Sequence, residues 1–131
     1  MNKTILIKAA VFGVIAVLCG AFGAHALKEV LSTEHLASFN TGVRYQLIHA
    51  VVLLVLFLLK DRFNIKQFKI AANLIFWGVI LFSGSIYLLS LKNIIGAEWL
   101  KFAGPITPIG GTLIIAGWVF IIIGGMKIKK T

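Results

Sequence analysis

Four apolar runs separated by short polar stretches divide the chain. The first is nearly unbroken from residue 9 to residue 27, behind Lys3 and Lys8. At 1.5 Å per residue, about 20 residues cross a hydrocarbon layer roughly 30 Å thick, which predicts a first span over residues 4–27. Ala24-His25-Ala26 resembles a signal cleavage site. The run nevertheless exceeds the roughly 7–15 residues of a signal core, so it reads as a retained span. Gly13, Ala16, Gly20 and Gly23 recur at steps of three and four, leaving one helix side nearly bare backbone. In lipid, such a side is where a neighbouring helix packs closely.

The polar stretch that follows carries Ser32 and Thr33, either of which can cap a helix starting near Glu34. From there Leu36, Phe39, Val43, Leu47, Ala50 and Leu54 fall on one face, and Glu34, Ser38, Thr41, Tyr45 and His49 on the other. An amphipathic helix therefore runs without a break into a second span, residues 40–59. Its strictly apolar part, residues 50–59, is too short to cross alone, so Arg44, Tyr45, Gln46 and His49 enter the bilayer with it. A third span covers residues 70–91 and a fourth residues 105–126, where Pro105 and Pro108 suit a first turn. Gly110, Gly117 and Gly124 repeat every seven residues, a second close-packing seam. The expected fold is all-α: a single integral membrane domain built as a four-helix bundle.

Composition agrees. Hydrophobic residues make up 60% of the chain and charged residues 13%, against about 25% in ordinary soluble domains. The net charge of +9 would suggest nucleic acid in a soluble protein, but here the basic residues flank apolar runs. The expected partner is the bilayer itself, with anionic headgroups at the cytoplasmic face, and not nucleic acid. Nine of the 13 Lys and Arg (Lys3, Lys8, Lys60, Arg62, Lys66, Lys69, Lys127, Lys129 and Lys130) share the side of both termini when four spans are drawn. With four spans, that puts both termini in the cytoplasm. A three-span chain divides the charges identically, so the preference for four rests on the segregation of polar residues by face. The lone Cys19 excludes an internal disulfide and reads as an apolar filler.

Counting inward from residue 59 puts His49 roughly 15 Å deep, near the midplane. Arg44 lies higher, within snorkelling reach of the outer edge. His25, Ser83 and Tyr87 belong to the same outer half. Intramembrane ionisable groups are functional candidates by default. Hence His25, Arg44, Tyr45, Gln46, His49, Ser83 and Tyr87 form the candidate ligand-binding set, with Glu29, Glu34 or an anionic ligand as partner for Arg44. The competing reading is structural: each histidine and serine ties one helix to another. His25 and His49 differ in depth by about 13 Å at helical rise, which argues against bis-histidine haem. Zinc would need a third ligand such as His35 or Glu34. No catalytic constellation can be assembled from Glu29, Glu34, Asp61 and Glu98, and no cofactor is expected.

Four blocks carry a family resemblance: Gly20-Ala-Phe-Gly-Ala-His-Ala-Leu-Lys28; Thr41-Gly-Val-Arg-Tyr-Gln46 with His49-Ala50; Phe82-Ser-Gly-Ser-Ile-Tyr-Leu88; and Thr107-Pro-Ile-Gly-Gly111 with Gly117-Trp118. Together they resemble the signature of domain-of-unknown-function family 423, which includes the transmembrane protein 256 group. The resemblance implies a small multi-pass protein of the bacterial inner membrane (mitochondrial in eukaryotic relatives) and transfers no activity. Three roles stay open: a binding or accessory protein with a polar pocket in the outer half, a transporter or channel formed as a homo-oligomer, and, last, a membrane enzyme or cofactor carrier.

Overall fold

The computed structural model describes residues 3–130. Helix α1 spans Thr4–Ala24, α2 Ala26–Val30, α3 Thr33–Phe63, α4 Lys66–Ile95 and α5 Ile106–Met126, with a 3₁₀ segment at Glu98–Ala103 before α5. Four helices are long and apolar enough to cross a membrane. The protein is an all-α bundle of four membrane-spanning helices.

Local chemistry sets the boundaries. His25 leaves helical geometry (φ −115°, ψ −80°) and separates α1 from α2, so the first long helix stops short of Leu27. Ser32 caps α3, its Oγ accepting from the His35 backbone N–H at 3.2 Å. The α3–α4 turn needs only Asn64 and Ile65. Asn64 takes the left-handed conformation (φ 50°), which a short polar side chain tolerates. Gly96 closes α4 at φ 73°, the geometry glycine supplies without steric cost. Pro105 sits at the N-cap of α5, with Pro108 inside its first turn.

Helices α3 and α4, 31 and 30 residues long, reach about 45 Å and overrun the hydrocarbon layer, whereas α1 and α5 match it. Packing is antiparallel: α3 lies between α1 and α4, and α4 between α3 and α5. Gly23 meets Phe39, Gly42 meets Tyr87, Gly110 meets Phe82 and Gly124 meets Phe68. This register puts the ends of α1 and α5 nearest the termini beside the α3–α4 turn (the terminal end) and gathers α2 and the 3₁₀ segment at the other (the loop end).

The bundle is apolar outside as well as inside. Val14, Leu18, Phe22, Ile48, Leu58, Ile115 and Ile122 are all exposed, an arrangement that only lipid can cover. The terminal half is filled by Ile5, Ala9, Phe12, Leu53, Leu56, Phe68, Ala71 and Ile75. Phe12 stacks on Phe76 at 5.1 Å, and Lys8 lays its ammonium over the Phe76 ring at 4.1 Å.

On α3 the sequence pattern holds in part: Phe39 and Ala50 turn inward and Glu34, Ser38 and Tyr45 outward as expected, but three positions depart. Phe39, Gly42, Gln46, His49, Ala50, Leu53 and Leu56 are buried, while Leu47 and Leu54 face outward. The expected grouping of Leu47 and Leu54 with Phe39 and Ala50, opposite His49, is therefore corrected. In lipid, leucine gains nothing by turning inward, whereas a polar side chain must find a partner there.

The glycine seam of α5 interlocks with α4. Gly110, Gly117 and Gly124 face Phe82, Ile75 and Phe68, and both series step by seven. Gly78, on α4, completes the closest approach, opposite Gly110 and Ile114. Gly20 and Gly23 face Val43 and Phe39 of α3. Gly13 has open space where a Cβ would stand, so it is not at a helix contact.

Candidate functional site

The steps 42, 46 and 49 along α3 turn Gly42, Gln46 and His49 toward the bundle interior. Ser83 Oγ donates to the Gly42 carbonyl at 2.8 Å, tying α4 to α3. Gln46 joins three helices: its Nε2 donates to the Phe12 carbonyl of α1 at 2.9 Å, and its Oε1 accepts from the Tyr87 hydroxyl of α4 at 2.8 Å. His49 Nδ1 lies 2.7 Å from the Tyr45 carbonyl, which can only accept. Its Nε2 lies 3.2 Å from Trp118 Nε1, which can only donate. Both bonds together require the neutral Nδ1–H tautomer.

This interior network is complete. Neither ring nitrogen of His49 is free for a metal, haem iron or reacting proton, and both polar ends of Gln46 are used. Interhelical bonds of this kind average about 0.6 kcal/mol in lipid, with a maximum near 1.7. Gln46, His49, Ser83 and Tyr87 are brought together as ties between helices. Trp118, absent from the sequence-based site, is one of their partners. Its sequence signal was its place in the Gly117-Trp118 block and on the same helix as Gly111, seven residues away.

Arg44, Tyr45 and His25 are not drawn into that interior. Arg44 is exposed, and among the described residues it makes no ion pair. The ion pair present, Lys60–Asp61 at 3.3 Å, lies at the terminal end. Two residues turn an α-helix by about 200°, so Arg44 points away from Gln46. Its side chain is positioned to snorkel toward the loop end. Tyr45 is half-exposed and rests against Phe82 at 4.7 Å. His25 is exposed at the α1–α2 break. The expected ligand-binding set is thus split between two faces of α3, and Glu29 and Glu34 form no pair with Arg44.

A different group of polar residues converges at the loop end. His35 and Ser38 of α3, Ser90 and Lys92 of α4, and Thr107 of α5 line an open cavity of about 500 Å³ with an apolar floor of Ile86 and Leu89. None of its lining residues is acidic. Ser85 Oγ lies within hydrogen-bond reach of both the Phe82 carbonyl and the Thr107 hydroxyl, and in the Ser85–Thr107 pair either oxygen can be the donor.

Ser90 stands apart. It is 2% exposed, and its Oγ has no hydrogen-bond partner, not even the carbonyl one turn back that helical serines commonly use. Leaving a buried hydroxyl unpaired costs about 1–3 kcal/mol. Nothing in the sequence pattern brings Ser90 to His35 and Ser38, more than 50 residues earlier.

A second cavity, about 520 Å³, lies between α1 and the α3–α4 pair and is lined by Leu18, Phe22, Phe39, Leu91 and Ile94 among others. It contributes no polar lining surface, which suits lipid chains. Among the described residues no three His, Cys, Asp or Glu side chains converge as a metal-ligand set.

These features define a class: a multi-pass integral membrane protein with an apolar plug at its terminal end and an open cavity of mixed polar and apolar lining at its loop end. The chain belongs to the family described as "Protein of unknown function (DUF423)", which it matches over residues 19–111. It is 37% identical over 126 residues to the UPF0382 membrane protein YwdK of Bacillus subtilis, covering 95% of this chain and 98% of the relative. It is 39% identical over 125 residues to the UPF0382 membrane protein SAB0533 of Staphylococcus aureus, covering 95% and 97%. It is also 33% identical over 129 residues to the UPF0382 inner membrane protein YgdD of Escherichia coli, covering 98% and 94%. No solved structure matches the chain.

Proposed function

We propose that this is a binding or accessory protein of the bacterial inner membrane, acting through the cavity at its loop end. The observation that carries this reading is the open loop-end cavity itself, where His35, Ser38 and Lys92 surround the apolar side chains of Ile86, Leu89 and Pro108. A concave site with a few polar groups among apolar walls is the usual form of a ligand pocket. A small solute, a lipid headgroup or a polar group of a partner helix each has the required chemistry. A transport path within one chain is disfavoured, because Leu53, Leu56, Phe68 and Ile75 close the terminal half without a polar side chain among them.

The relatives named as membrane or inner membrane proteins support the location. Lys60, Arg62, Lys66 and Lys69 cluster at the α3–α4 turn, on the side of Lys127, Lys129 and Lys130, and favour a cytoplasmic terminal end. Each contributes about 1 kcal/mol of attraction to anionic headgroups near that surface.

Native mass spectrometry of the full chain, released gently from its membrane, tests the binding role. A bound species is expected on the wild type and its loss on Ser38→Trp, which fills the cavity from an exposed position. Equal spectra for the two proteins would remove the reading. Single cysteines at Gln67 and Glu98, in a Cys19→Ala background, are expected to label from opposite faces of intact cells.

A further inference from the structure

Depth orders the chemistry of the loop-end cavity. The register that sets Gly42 against Tyr87 brings Ser38 beside Leu91 and His35 beside Ile94 of α4. Both therefore sit near the height of Lys92, which ends the apolar run of α4 and marks the edge of the hydrocarbon layer. Leu89 and Ile86 follow on α4 toward the bundle centre, about 5–9 Å deeper at helical rise. Pro108 is deeper still, since its neighbour Thr107 meets Ser85. Thr107 is occupied by that contact, and the Ser90 oxygen is sealed from the cavity. The lining is thus polar at the mouth and apolar beneath.

The cavity lies between α3 and α5 with α4 as its floor. Both flanking helices span the membrane and pack along α4, so the gap between them opens onto lipid. An occupant meets two environments at once, a polar edge and a narrow apolar cleft below it. A soluble polar solute would press its polar groups against Ile86, Leu89 and Pro108 without compensation. A partner helix needs an unbroken groove. Deeper in the bundle the Trp118 Nε1–His49 Nε2 bond crosses from α5 to α3 and interrupts it, with Tyr45 packed on Phe82. The volume, about 500 Å³, is that of a pocket for one small molecule. A lipid with one chain laid in the cleft meets each requirement.

We infer that the loop-end cavity holds a single lipid drawn sideways from the adjoining leaflet. One acyl chain lies on Ile86, Leu89 and Pro108, and the headgroup reaches His35, Ser38 and Lys92. The chain gains little over ordinary lipid contact, because acyl chains are as apolar as leucine. Residence therefore comes from the contacts at the mouth. This rests on the binding role proposed above and names the occupant as a membrane lipid.

The test reconstitutes the full chain in phosphatidylcholine vesicles containing a small fraction of phosphatidylcholine with a diazirine in one chain. Illumination and peptide mass spectrometry map the adducts. Those on Ile86, Leu89 and Pro108 are expected to exceed several-fold those on Val17 and Ile109, which are exposed to lipid on α1 and α5. Leu89→Trp, which fills the floor, should remove the adducts on Ile86 and Pro108. Ser38→Ala combined with Lys92→Gln should lower them about five-fold, the scale of one lost hydrogen bond. Labelling of Val17 and Ile109 should stay unchanged in both variants, which checks that the bundle is intact.

Three results overturn the lipid: even labelling across all these positions, cleft adducts that survive Leu89→Trp, or cleft adducts unchanged by the paired substitution at the mouth. If the cleft shows no preferred labelling while native mass spectrometry still finds a species lost on Ser38→Trp, the occupant is not a lipid chain and the binding role stands. If both fail, so does the binding role.

Discussion

Gly110→Ala is the sharpest test of how the bundle is held together. A Cβ at this position would fall against the Phe82 backbone N, with the Gly78 carbonyl and Phe82 Cα both at 2.8 Å. All three are backbone atoms, so no rotamer change relieves the contact. Helix α5 must move away from α4 by something near 1 Å, and a gap of 0.5–1 Å forfeits about a quarter to a half of each dispersion contact. The loss spreads along the seam, because Gly117 against Ile75 and Gly124 against Phe68 share the same register. Overpacking of this kind costs about 1–3 kcal/mol, offset by up to about 1 kcal/mol from alanine's better helix propensity. The net expectation is a destabilisation of about 1–2 kcal/mol.

Gly13→Ala provides the matched control. The substitution is the same and also sits in an apolar helix, but nothing lies within 4 Å of the added methyl. It should be neutral or stabilising by up to about 1 kcal/mol. Gly117→Ala should fall between the two, since its nearest obstacle is the Ile75 side chain, which can shift. Denaturation in mixed micelles of neutral detergent and dodecyl sulfate, followed by far-UV circular dichroism, ranks the three. Should Gly110→Ala prove as stable as Gly13→Ala, the α4–α5 seam is not a close backbone contact and the register described above is wrong.

The same assay reaches the polar ties. Gln46→Leu and Tyr87→Phe each remove the bond between these residues, so a double-mutant cycle should give a coupling of about 0.5–2 kcal/mol, and additivity would mean the bond does not form. Trp118→Phe leaves His49 Nε2 without its donor and should cost about 0.6–1.7 kcal/mol; the penalty should vanish in a His49→Leu background, and its persistence would assign it to lost packing. Ser90→Ala should stabilise the ligand-free protein by about 1 kcal/mol, because it removes a hydroxyl that has no partner. A destabilised Ser90→Ala would reveal a partner for that hydroxyl in the empty state.

Hydropathy alone determined the class of this protein. Runs of about 20 apolar residues need lipid whatever their neighbours are, so three of the spans were legible from spacing; the second, with only ten strictly apolar residues, became certain only in the continuous helix α3. The α5 seam was legible too, because a seven-residue glycine repeat returns to nearly the same helix face. Two things were not legible. The places of Leu47, Leu54 and His49 on α3 were misread because an apolar stripe signals the core in water, whereas in a bilayer leucine is equally at home on the outside. There only the partners of Gln46 and His49, contributed by α1, α4 and α5, decide which side turns inward. The candidate site moved for a related reason. Arg44 and His49 are close in sequence but point to different sides of one helix. His35, Ser38, Ser90, Lys92 and Thr107 are scattered along the chain, and only the antiparallel register of α3, α4 and α5 brings them together.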